Sequence, residues 1–394
     1  STRHKTGNEG KPTKFKLFNK YQSTIPAGLY AIVRRGALRK KFVVELDDQR
    51  TPTCARDTNA DLAWLRWYQT EAVDAVINEK RGIIQAPTGS GKGEIVVALT
   101  KALPCLWLFL VHRQNLVDDI AERYQKHTGL DPIFYKDGMT MPTTGLVLTT
   151  FQTFAAALKQ CSGTAETLLE GVGGLIVDEC HIQAADSFYL ISQQTKNAYW
   201  RVGLSGTPLA RGDRRGVKAV AALGDIVYRI KIKTLIDEGV LAAPIIRMIR
   251  VEQYSARPTY QGVYGELVAK SAIRNQAIVD CAADAKKPCI VFVKQDNHGN
   301  EIKKKLMKQG FNVEFVNGKV KSPVRRKAMA TSLERGDTDI LIASVVFQEG
   351  IDIPSLESVV LAHGGRSIIS TMQRIGRGMR TDQGRKLTFE VWDI

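Results

Sequence analysis

Short, almost entirely apolar runs recur along most of this chain, and a stretch with helical spacing separates each run from the next. The clearest runs are, in order, GIIQAPT, PCLWLFLV, GLVLTT, GLIVDE, RVGLSGT, PCIVFVK, NVEFVNG, TDILIAS, ESVVLAHG and LTFEVWD. A strand buried on both faces is apolar throughout, and two parallel strands need a crossover between them, usually a helix. The pattern therefore predicts an α/β fold in which helices cover both faces of parallel sheets.

The alternation is interrupted once, which predicts two α/β domains in tandem. We place the first domain at 61–240, the second at 285–394 and a connector at 241–284. Residues 1–60 form a separate basic segment, with 13 Lys and Arg against 5 Asp and Glu. Its short alternating pieces, such as GLYAIVRRGAL, predict a small β-rich extension suited to binding duplex DNA; a solvated basic extension is the alternative.

Charge and cysteine usage narrow the class of protein. The formal net charge of the 394 residues is +16, which favours an anionic partner such as nucleic acid. The six cysteines form no C-x-x-C pair, and no His pattern completes a zinc site, so we expect free thiols in a reducing compartment. The apolar runs are about half of the roughly 20 residues that a membrane span needs. We therefore expect a cytoplasmic protein with no membrane partner. The sequence does not determine the oligomeric state, for which we favour a monomer.

The segment APTGSGK, residues 86–92, follows a predicted strand and opens a predicted helix, as a phosphate-binding loop does. Its glycines allow backbone N–H groups to converge on one point, towards which the positive end of the helix is also directed. The lysine adds a positive charge for the distal phosphates. A surface turn is the alternative. The residues predicted to bind the nucleotide are Thr88, Gly89, Ser90, Gly91 and Lys92.

Gly93 departs from this pattern, because such loops carry Ser or Thr after the lysine to give a hydroxyl to Mg²⁺. One interpretation is that water replaces the missing ligand, since Mg²⁺ readily keeps several waters. A hydroxyl restored at position 93 should then lower the Mg²⁺ that the enzyme needs. The competing interpretation is that another part of the chain approaches Gly93 too closely for a side chain.

Two acids end the apolar run GLIVDE, about 90 residues after the loop. A carboxylate at the tip of a strand beside a phosphate loop can hold Mg²⁺, and an adjacent one can orient and deprotonate the attacking water. We assign Asp178 to the metal and Glu179 to the base. A helix cap is the alternative for such a pair.

Nine motifs, in the expected order over about residues 62–394, resemble those of superfamily-two helicases. They are LRWYQ, APTGSGK, LVHRQNL, TTFQTF, VDECH, GLSGTP, VFVK, FQEGIDIP and QRIGRGMR. The second half is most similar to bacteriophage UvsW-type recombination helicases, and LVHRQNL and GLSGTPLARGD are also similar to the wider XPB-like group. The resemblance implies two RecA-like domains, hydrolysis of ATP with Mg²⁺, and a bacterial or phage-infected host cell.

The resemblance also assigns roles to residues at matching positions. It implies ATP-binding residues at Arg66, Gln69, Gly350 and Asp352, catalytic residues at Lys92, Asp178, Glu179, Gln373, Arg377 and Arg380, and residues that couple hydrolysis to strand movement at His181, Ser205 and Thr207. Gln373 and His181 are a pair expected to meet across the cleft. Arg377 and Arg380 match arginine fingers, whose guanidinium groups neutralise the charge that builds on the γ-phosphate.

Nucleic acid is expected to contact loops of both domains through its phosphates. The residues on the matching loops are His112, Arg113, Thr150, Gln152, Lys294, His298, Asn317 and Lys319. Hydroxyl, amide and cationic groups suit phosphates, and contacts of this kind tolerate any base sequence. Trp64 and Trp67 could stack on bases, but we favour a packing role because they lie beside the adenine motif.

The phosphate loop and the acid pair predict an ATPase, and the resemblance implies an ATP-dependent DNA helicase or translocase that remodels branched DNA, such as forks, Holliday junctions and displacement loops. An RNA helicase is an alternative, because the catalytic motifs do not distinguish the two. A degenerate motor that only binds or anneals DNA is another, suggested by Gly93. A restriction-type translocase subunit is a further alternative, although the sequence shows no nuclease constellation.

Overall fold

The computed structural model describes residues 24–394 apart from 113, 181–185, 209–215, 318–322, 345–352, 354, 365–375, 377 and 382–385. The chain divides into two compact units, with the boundary between Lys231 and Ile232. Each unit is organised around one parallel sheet. This confirms the predicted α/β fold with two parallel-sheet domains.

The first unit contains a seven-stranded sheet. Its strands are β1 (Arg81–Gln85), β2 (Leu106–Val111), β3 (Ile133–Phe134), β4 (Gly145–Thr150), β5 (Gly174–Asp178), β6 (Trp200–Ser205) and β7 (Ile226–Arg229). Their order across the sheet is β3-β4-β2-β5-β6-β1-β7, and every pairing is parallel. All residues of β2 and β6 are buried, which explains why their sequences are so strongly apolar.

Helices cover this sheet and supply the rest of its core. They are α1 (Tyr30–Arg39), α2 (Trp67–Glu79), α3 (Lys92–Ala102), α4 (Gln114–Thr128), α5 (Phe151–Lys159), α6 (Gly163–Gly171), α7 (Asp186–Gln194) and α8 (Gly216–Leu223). The helix α3 packs against α2 and α4, whereas α7 packs against α5 and α8. Because the strands are parallel, the carboxyl ends of β1, β2, β4, β5 and β6 lie at one edge of the sheet. Most of the predicted site residues of the first unit lie at or just after these strand ends.

The second unit contains a six-stranded sheet. Its elements are α9 (Ile232–Asp237), β8 (Ala243–Met248), α10 (Tyr260–Tyr264), α11 (Ala272–Asp284), β9 (Cys289–Val293), α12 (Asp296–Lys308), β10 (Val313–Val316), α13 (Pro323–Arg335), β11 (Ile340–Ser344), β12 (Ser358–Leu361) and β13 (Thr388–Asp393). The strand order is β10-β11-β9-β12-β13-β8, again with parallel pairings. Across the described ranges of both units, no helix combines the length and the apolar character needed to cross a membrane.

The segment predicted as a connector, 241–284, contributes structure to the second unit. Its strand β8 pairs with β13 along six residues and forms one edge of the sheet. Its helix α11 buries Ile278 and Val279 in the same core as β9 and β12. The second unit accordingly begins at Ile232, well before position 285.

The described part of the N-terminal segment, 24–60, contains no strand, so the predicted β unit is wrong for these residues. GLYAIVRRGAL instead forms one turn of 3₁₀ helix, Ala27–Leu29, followed by α1. Alanine, leucine and arginine are good helix formers, and a helix satisfies its own backbone hydrogen bonds, which a strand without a neighbour does not. Leu29 is buried and Gly28 lies against the backbone of α8, so this turn ties α1 to the first unit.

Candidate active site

The loop 86–91 joins β1 to α3 at the carboxyl edge of the first sheet. Gly89 and Gly91 have φ angles of 86° and 79°, in the left-handed region that favours glycine. The hydroxyl of Ser90 is held inside the loop, where it donates to the carbonyl of Pro87 at 2.7 Å. The helix α3 begins at Lys92, so its unpaired N–H groups lie next to the loop. The loop thus has the curled backbone and the helix N-terminus that a phosphate site needs.

Gln69 holds this loop against the start of α2. Its side-chain Oε1 accepts from the backbone N–H of Arg66 at 2.9 Å, and its Nε2 donates to the carbonyl of Ser90 at 3.0 Å. Only 3% of Gln69 is exposed, and a Cβ at Gly91 would lie 2.2 Å from its Nε2. The Gln69 amide therefore supports the phosphate loop. Gln69 also belongs to the motif LRWYQ, which is expected to contact the adenine. Arg66 is exposed at the N-terminus of α2, with its guanidinium 3.3 Å from the hydroxyl of Tyr68.

The two predicted acids stand at the tip of β5. The backbone N–H of Glu179 donates to Oδ1 of Asp178 at 2.9 Å, and Glu179 adopts a φ of 47°. This left-handed conformation costs a non-glycine residue some energy and turns the chain sharply at the end of the strand. Lys92 Nζ lies 3.2 Å from Oε1 of Glu179. The phosphate loop and the acids are therefore in direct contact, as their order in the sequence predicts.

Cys180 follows the acids and is fully buried. A Cβ at Gly203 on the adjacent strand β6 would lie 3.1 Å from its Sγ, so the position accepts only a small side chain. Burial raises the pKa of the Cys180 thiol, and the carboxylates of Glu179 and Asp178 raise it further. A neutral thiol is a packing group here and adds no charge to the acids.

The end of β6 lies beside the phosphate loop. Ser205 pairs with Gln85 across β6 and β1, and its carbonyl accepts from the N–H of Ala86 at 2.9 Å. The hydroxyl of Ser205 accepts from the N–H of Thr207 at 3.1 Å. Within the described chain, the buried hydroxyl of Thr207 has no hydrogen-bond partner. Of the two residues predicted to couple hydrolysis to movement, Ser205 is thus hydrogen-bonded to the first residue of the loop, and Thr207 is joined to it through Ser205.

A charged cluster that the sequence did not predict lies on the first turn of α3. Glu94 forms an ion pair with Arg123, and the Nε2 of His127 lies 3.0 Å from Oε2 of Glu94; both partners lie on α4. Arg123 also pairs with Asp119 at 3.2 Å. A Cβ at Gly93 would lie 2.9 Å from Cδ of Arg123. The arginine therefore occupies the space beside Gly93, and this favours the interpretation in which a close approach excludes a side chain.

The indole of Trp64 stacks on His127 in this cluster, with ring centroids 4.3 Å apart. The ammonium of Lys101 lies over the same indole at 5.0 Å. Trp67 contacts Tyr68 edge to face at 5.7 Å. Trp64 thus makes the packing contacts expected of it, whereas Trp67 is 49% exposed.

Two family models match the chain in tandem, one within each unit. The model described as type III restriction enzyme, res subunit, matches residues 63–210, and the helicase conserved C-terminal domain matches 272–382. Together they span the phosphate loop, the acid pair and the motif that contains Arg380. The chain belongs to the superfamily-two helicases. It is accordingly an ATP-dependent helicase enzyme.

Curated relatives agree with this family. The ATP-dependent DNA helicase UvsW of phage T4 is 27% identical over 350 residues, which cover 83% of this chain and 68% of that protein. The DNA 3′-5′ translocase XPB2 of Sulfurisphaera tokodaii is 24% identical over 404 residues, covering 92% and 88%. Both branches named by the sequence motifs are therefore represented among the relatives of this helicase.

Solved structures show the same fold. An HsdR fragment of a type I restriction enzyme from Vibrio vulnificus matches with a TM-score of 0.62 and 21% identity, over 92% of this chain and 68% of that one. The DNA-bound restriction-modification enzyme LlaBIII matches with a TM-score of 0.63 and 15% identity, over 83% of this chain and 27% of that one. The second similarity therefore concerns about a quarter of a much larger protein.

Three of the residues predicted to contact nucleic acid come together in the first unit of this helicase. His112 follows β2, Thr150 ends the adjacent strand β4, and Gln152 lies in the first turn of α5. The Nδ1 of His112 is 3.4 Å from Nε2 of Gln152. Thr150 caps α5 by accepting from the N–H of Thr153. The three side chains form one polar, solvent-accessible group at the carboxyl edge of the sheet.

In the second unit, the structure separates the predicted contacts. Lys294 is exposed immediately after β9. Asn317 follows β10, and its amide donates to Asp296 at 3.0 Å. His298 is only 1% exposed, and its Nε2 is 2.9 Å from Oδ1 of Asn275 on α11. The prediction that His298 contacts nucleic acid is therefore wrong, because the imidazole lies in the core between α11 and α12.

Arg380 is held at the end of its motif by the segment before β8. It forms an antiparallel bridge with Leu241, and the N–H of Ala242 donates to the carbonyl of Met379 at 2.6 Å. The buried ammonium of Lys386 donates to the carbonyl of Gly378 at 2.6 Å. The part of the chain predicted as a connector thus fixes the backbone of the second predicted arginine finger.

Seven predicted site residues lie outside the described residues: Arg113, His181, Lys319, Gly350, Asp352, Gln373 and Arg377.

Proposed function

We propose that this helicase hydrolyses ATP to move along DNA and that its substrates are branched DNAs such as forks, four-way junctions and displacement loops. The observation that carries the proposal is the contact between Lys92 and Glu179, which joins the phosphate loop to the acid pair. The names of the UvsW and XPB2 relatives favour DNA over RNA. The preference for branches is supported by the similarity to UvsW and by the basic N-terminal segment.

The residues around the loop can carry out phosphoryl transfer to water. Converging N–H groups of 88–92 and the Lys92 ammonium would bind the distal phosphates of ATP. The phosphates would compete with Glu179 for Lys92, and the Glu179 carboxylate would then orient and deprotonate the attacking water. The proposed role of Arg380, with Arg377, is to neutralise the charge that develops on the γ-phosphate.

The donor set near the loop fits Mg²⁺ bound together with ATP. In the described ranges, no group of three or more His, Cys, Asp or Glu could hold a metal ion by itself. Mg²⁺ typically takes only one or two carboxylates and fills its remaining positions with phosphate oxygens and water. Asp178 would supply the carboxylate, and the bound ion would neutralise phosphate charge.

Two substitutions test the hydrolysis site. Lys92→Ala should weaken ATP binding, because it removes the charge that faces the phosphates. Glu179→Gln should retain ATP binding and lower the hydrolysis rate about a hundredfold or more, because the general base is lost. The matched control is Glu166→Gln, an exposed change on α6. Near-normal turnover by Glu179→Gln would show that Glu179 is not the base.

The substrate is tested by ATPase stimulation across single-stranded, duplex, forked and four-way DNA and single-stranded RNA. We expect forked and four-way DNA to stimulate most. Stronger stimulation by RNA would favour the RNA helicase alternative. An absence of hydrolysis with every nucleic acid, together with retained DNA binding, would favour the degenerate motor.

A further inference from the structure

An exposed aromatic ring lies beside the predicted phosphate contact of the second unit. Tyr260, the first residue of α10, is 66% exposed. The ammonium of Lys294, which follows β9, lies over this ring at 5.6 Å from its centroid. It also lies 5.0 Å from the ring centroid of Tyr264. A cation and an open aromatic surface are thus presented together.

The position of Tyr260 is fixed by the rest of the sheet. The hydroxyl of Thr259 caps α10 by accepting from the N–H of Gly262 at 3.1 Å. One turn further on, Tyr264 is buried and donates its hydroxyl to the carbonyl of His363 at 2.8 Å. His363 follows β12, which is the neighbour of β9 in the sheet. The exposed ring therefore stands at the carboxyl edge of the sheet, where open α/β folds bind ligands.

Packing within the unit explains Tyr264 but leaves most of Tyr260 in water. The ring centroids of the two tyrosines are 6.0 Å apart with an interplanar angle of 40°. Tyr260 therefore packs against Tyr264, but only about one-third of its surface is buried. A rigid, amphipathic ring beside an exposed lysine is the combination that single-stranded nucleic acid recognises, since the base stacks on the ring while the cation meets the phosphate.

We propose that Tyr260 stacks on an unpaired base of the strand whose phosphate contacts Lys294. This proposal rests on the function proposed above and adds a contact to the bases themselves, whereas the other residues predicted to contact nucleic acid, apart from the buried His298, are expected to contact phosphates. Stacking accepts any base because every base has a π-face. The contact therefore strengthens the grip on single-stranded DNA without introducing sequence preference.

The test compares binding of oligo-dT with binding of an abasic strand that has the same number of phosphates. Wild-type protein should bind oligo-dT more tightly than the abasic strand. Tyr260→Ala should weaken oligo-dT binding about tenfold and leave abasic-strand binding unchanged, which removes the difference between the two. Tyr260→Trp should restore it. Tyr254→Ala is the matched control, because Tyr254 is 93% exposed.

The outcomes separate this proposal from the function on which it rests. If wild-type protein binds oligo-dT and its ATPase is stimulated, but Tyr260→Ala binds oligo-dT normally, the stacking proposal is overturned and the helicase function stands. Equal weakening on both strands by Tyr260→Ala also overturns it, because a stacking contact requires a base. If wild-type protein binds neither strand, both the stacking proposal and the proposed function are overturned.

Discussion

The side chain of Arg123 lies where a side chain at position 93 would lie, which favours the close-approach interpretation of the glycine after the loop lysine. Arg123 fills the space in which a side chain at 93 would lie and is itself held by Glu94 and Asp119. The arginine thereby ties the first turn of α3 to α4. A threonine at 93 has no room for its Cβ unless this anchored side chain moves.

We therefore expect Gly93→Thr to lower stability by about 1–3 kcal/mol, the usual cost of overpacking, and to raise the Mg²⁺ needed for half-maximal ATPase. Arg123→Ala in the same chain should recover part of both losses, since it opens the space. Gly163→Thr is the matched control, because Gly163 begins α6 and a Cβ added there would meet no atom within 4 Å. Thermal unfolding and Mg²⁺ titration measure the two effects. A Gly93→Thr enzyme of normal stability that needs less Mg²⁺ would support the missing-hydroxyl interpretation instead.

At the scale of elements, the sequence predicts strands better than it predicts what lies between them. Buried parallel strands such as β2 and β9 are apolar throughout, so composition alone locates them. The strand β8 is an edge strand with Ile246 and Met248 exposed, and its pairing with β13 joins segments that are far apart in the chain. No local pattern contains such a pairing, and this is why the sequence predicts a connector at 241–284.

The candidate site shows the same division between local and distant information. Lys92, Asp178 and Ser205 come together because they end or follow neighbouring parallel strands. The alternation pattern predicts that the strands are parallel, and parallel strands have their carboxyl ends at the same edge of the sheet. The cluster of Glu94 with Arg123 depends on how α3 packs against α4, which spacing does not specify. The motif places His298 close to the end of β9. The helix α12 nevertheless directs its side chain into the core, where the imidazole is hydrogen-bonded to Asn275.

His298 should make the stability of the second unit depend on pH. Burial, with a smaller contribution from Arg274, lowers the pKa of His298 to about 4, against about 6.5 in an unfolded chain. Between these values the unfolded chain takes up a proton that the folded core does not, so stability falls as the pH falls from 6.5 to 4. The loss should reach about 3 kcal/mol at most.

The measurement is urea unfolding of wild-type and His298→Gln proteins at pH 8 and pH 4.5. The glutamine retains an N–H donor for Asn275 and does not titrate, so its stability should fall less between the two pH values. The pH 8 values serve as the internal control for any loss of packing. An identical fall in both proteins would show that His298 does not contribute to the acid sensitivity.

At the scale of the whole molecule, the helix α1 combines positive charge with exposure to water. The helix α1 buries none of its residues. Arg35 pairs with Asp225 of the first unit at 2.6 Å, which holds the helix in place. Four other cations on and after α1 are exposed to water: Arg34, Arg39, Lys40 and Lys41. An exposed basic helix that is held to the first unit by the turn at Leu29 and by the Arg35–Asp225 ion pair is suited to bind duplex phosphates.

Replacing these four cations with glutamine should weaken binding to forked DNA and flatten its dependence on salt, while Arg35 is kept so that α1 stays attached. Each phosphate that the helix no longer neutralises should reduce the slope of log K against log salt by about 0.9 on duplex DNA. Since the substitutions lie outside the hydrolysis site, ATPase activity without DNA should be unchanged.

The matched control is the replacement of four lysines of α12, Lys303, Lys304, Lys305 and Lys308, which removes the same charge from another helix. If the slope falls equally in the two variants, net charge alone controls the affinity. If the slope falls only in the α1 variant, and falls on forked DNA but not on single strands, then α1 is the element that contacts the duplex arms.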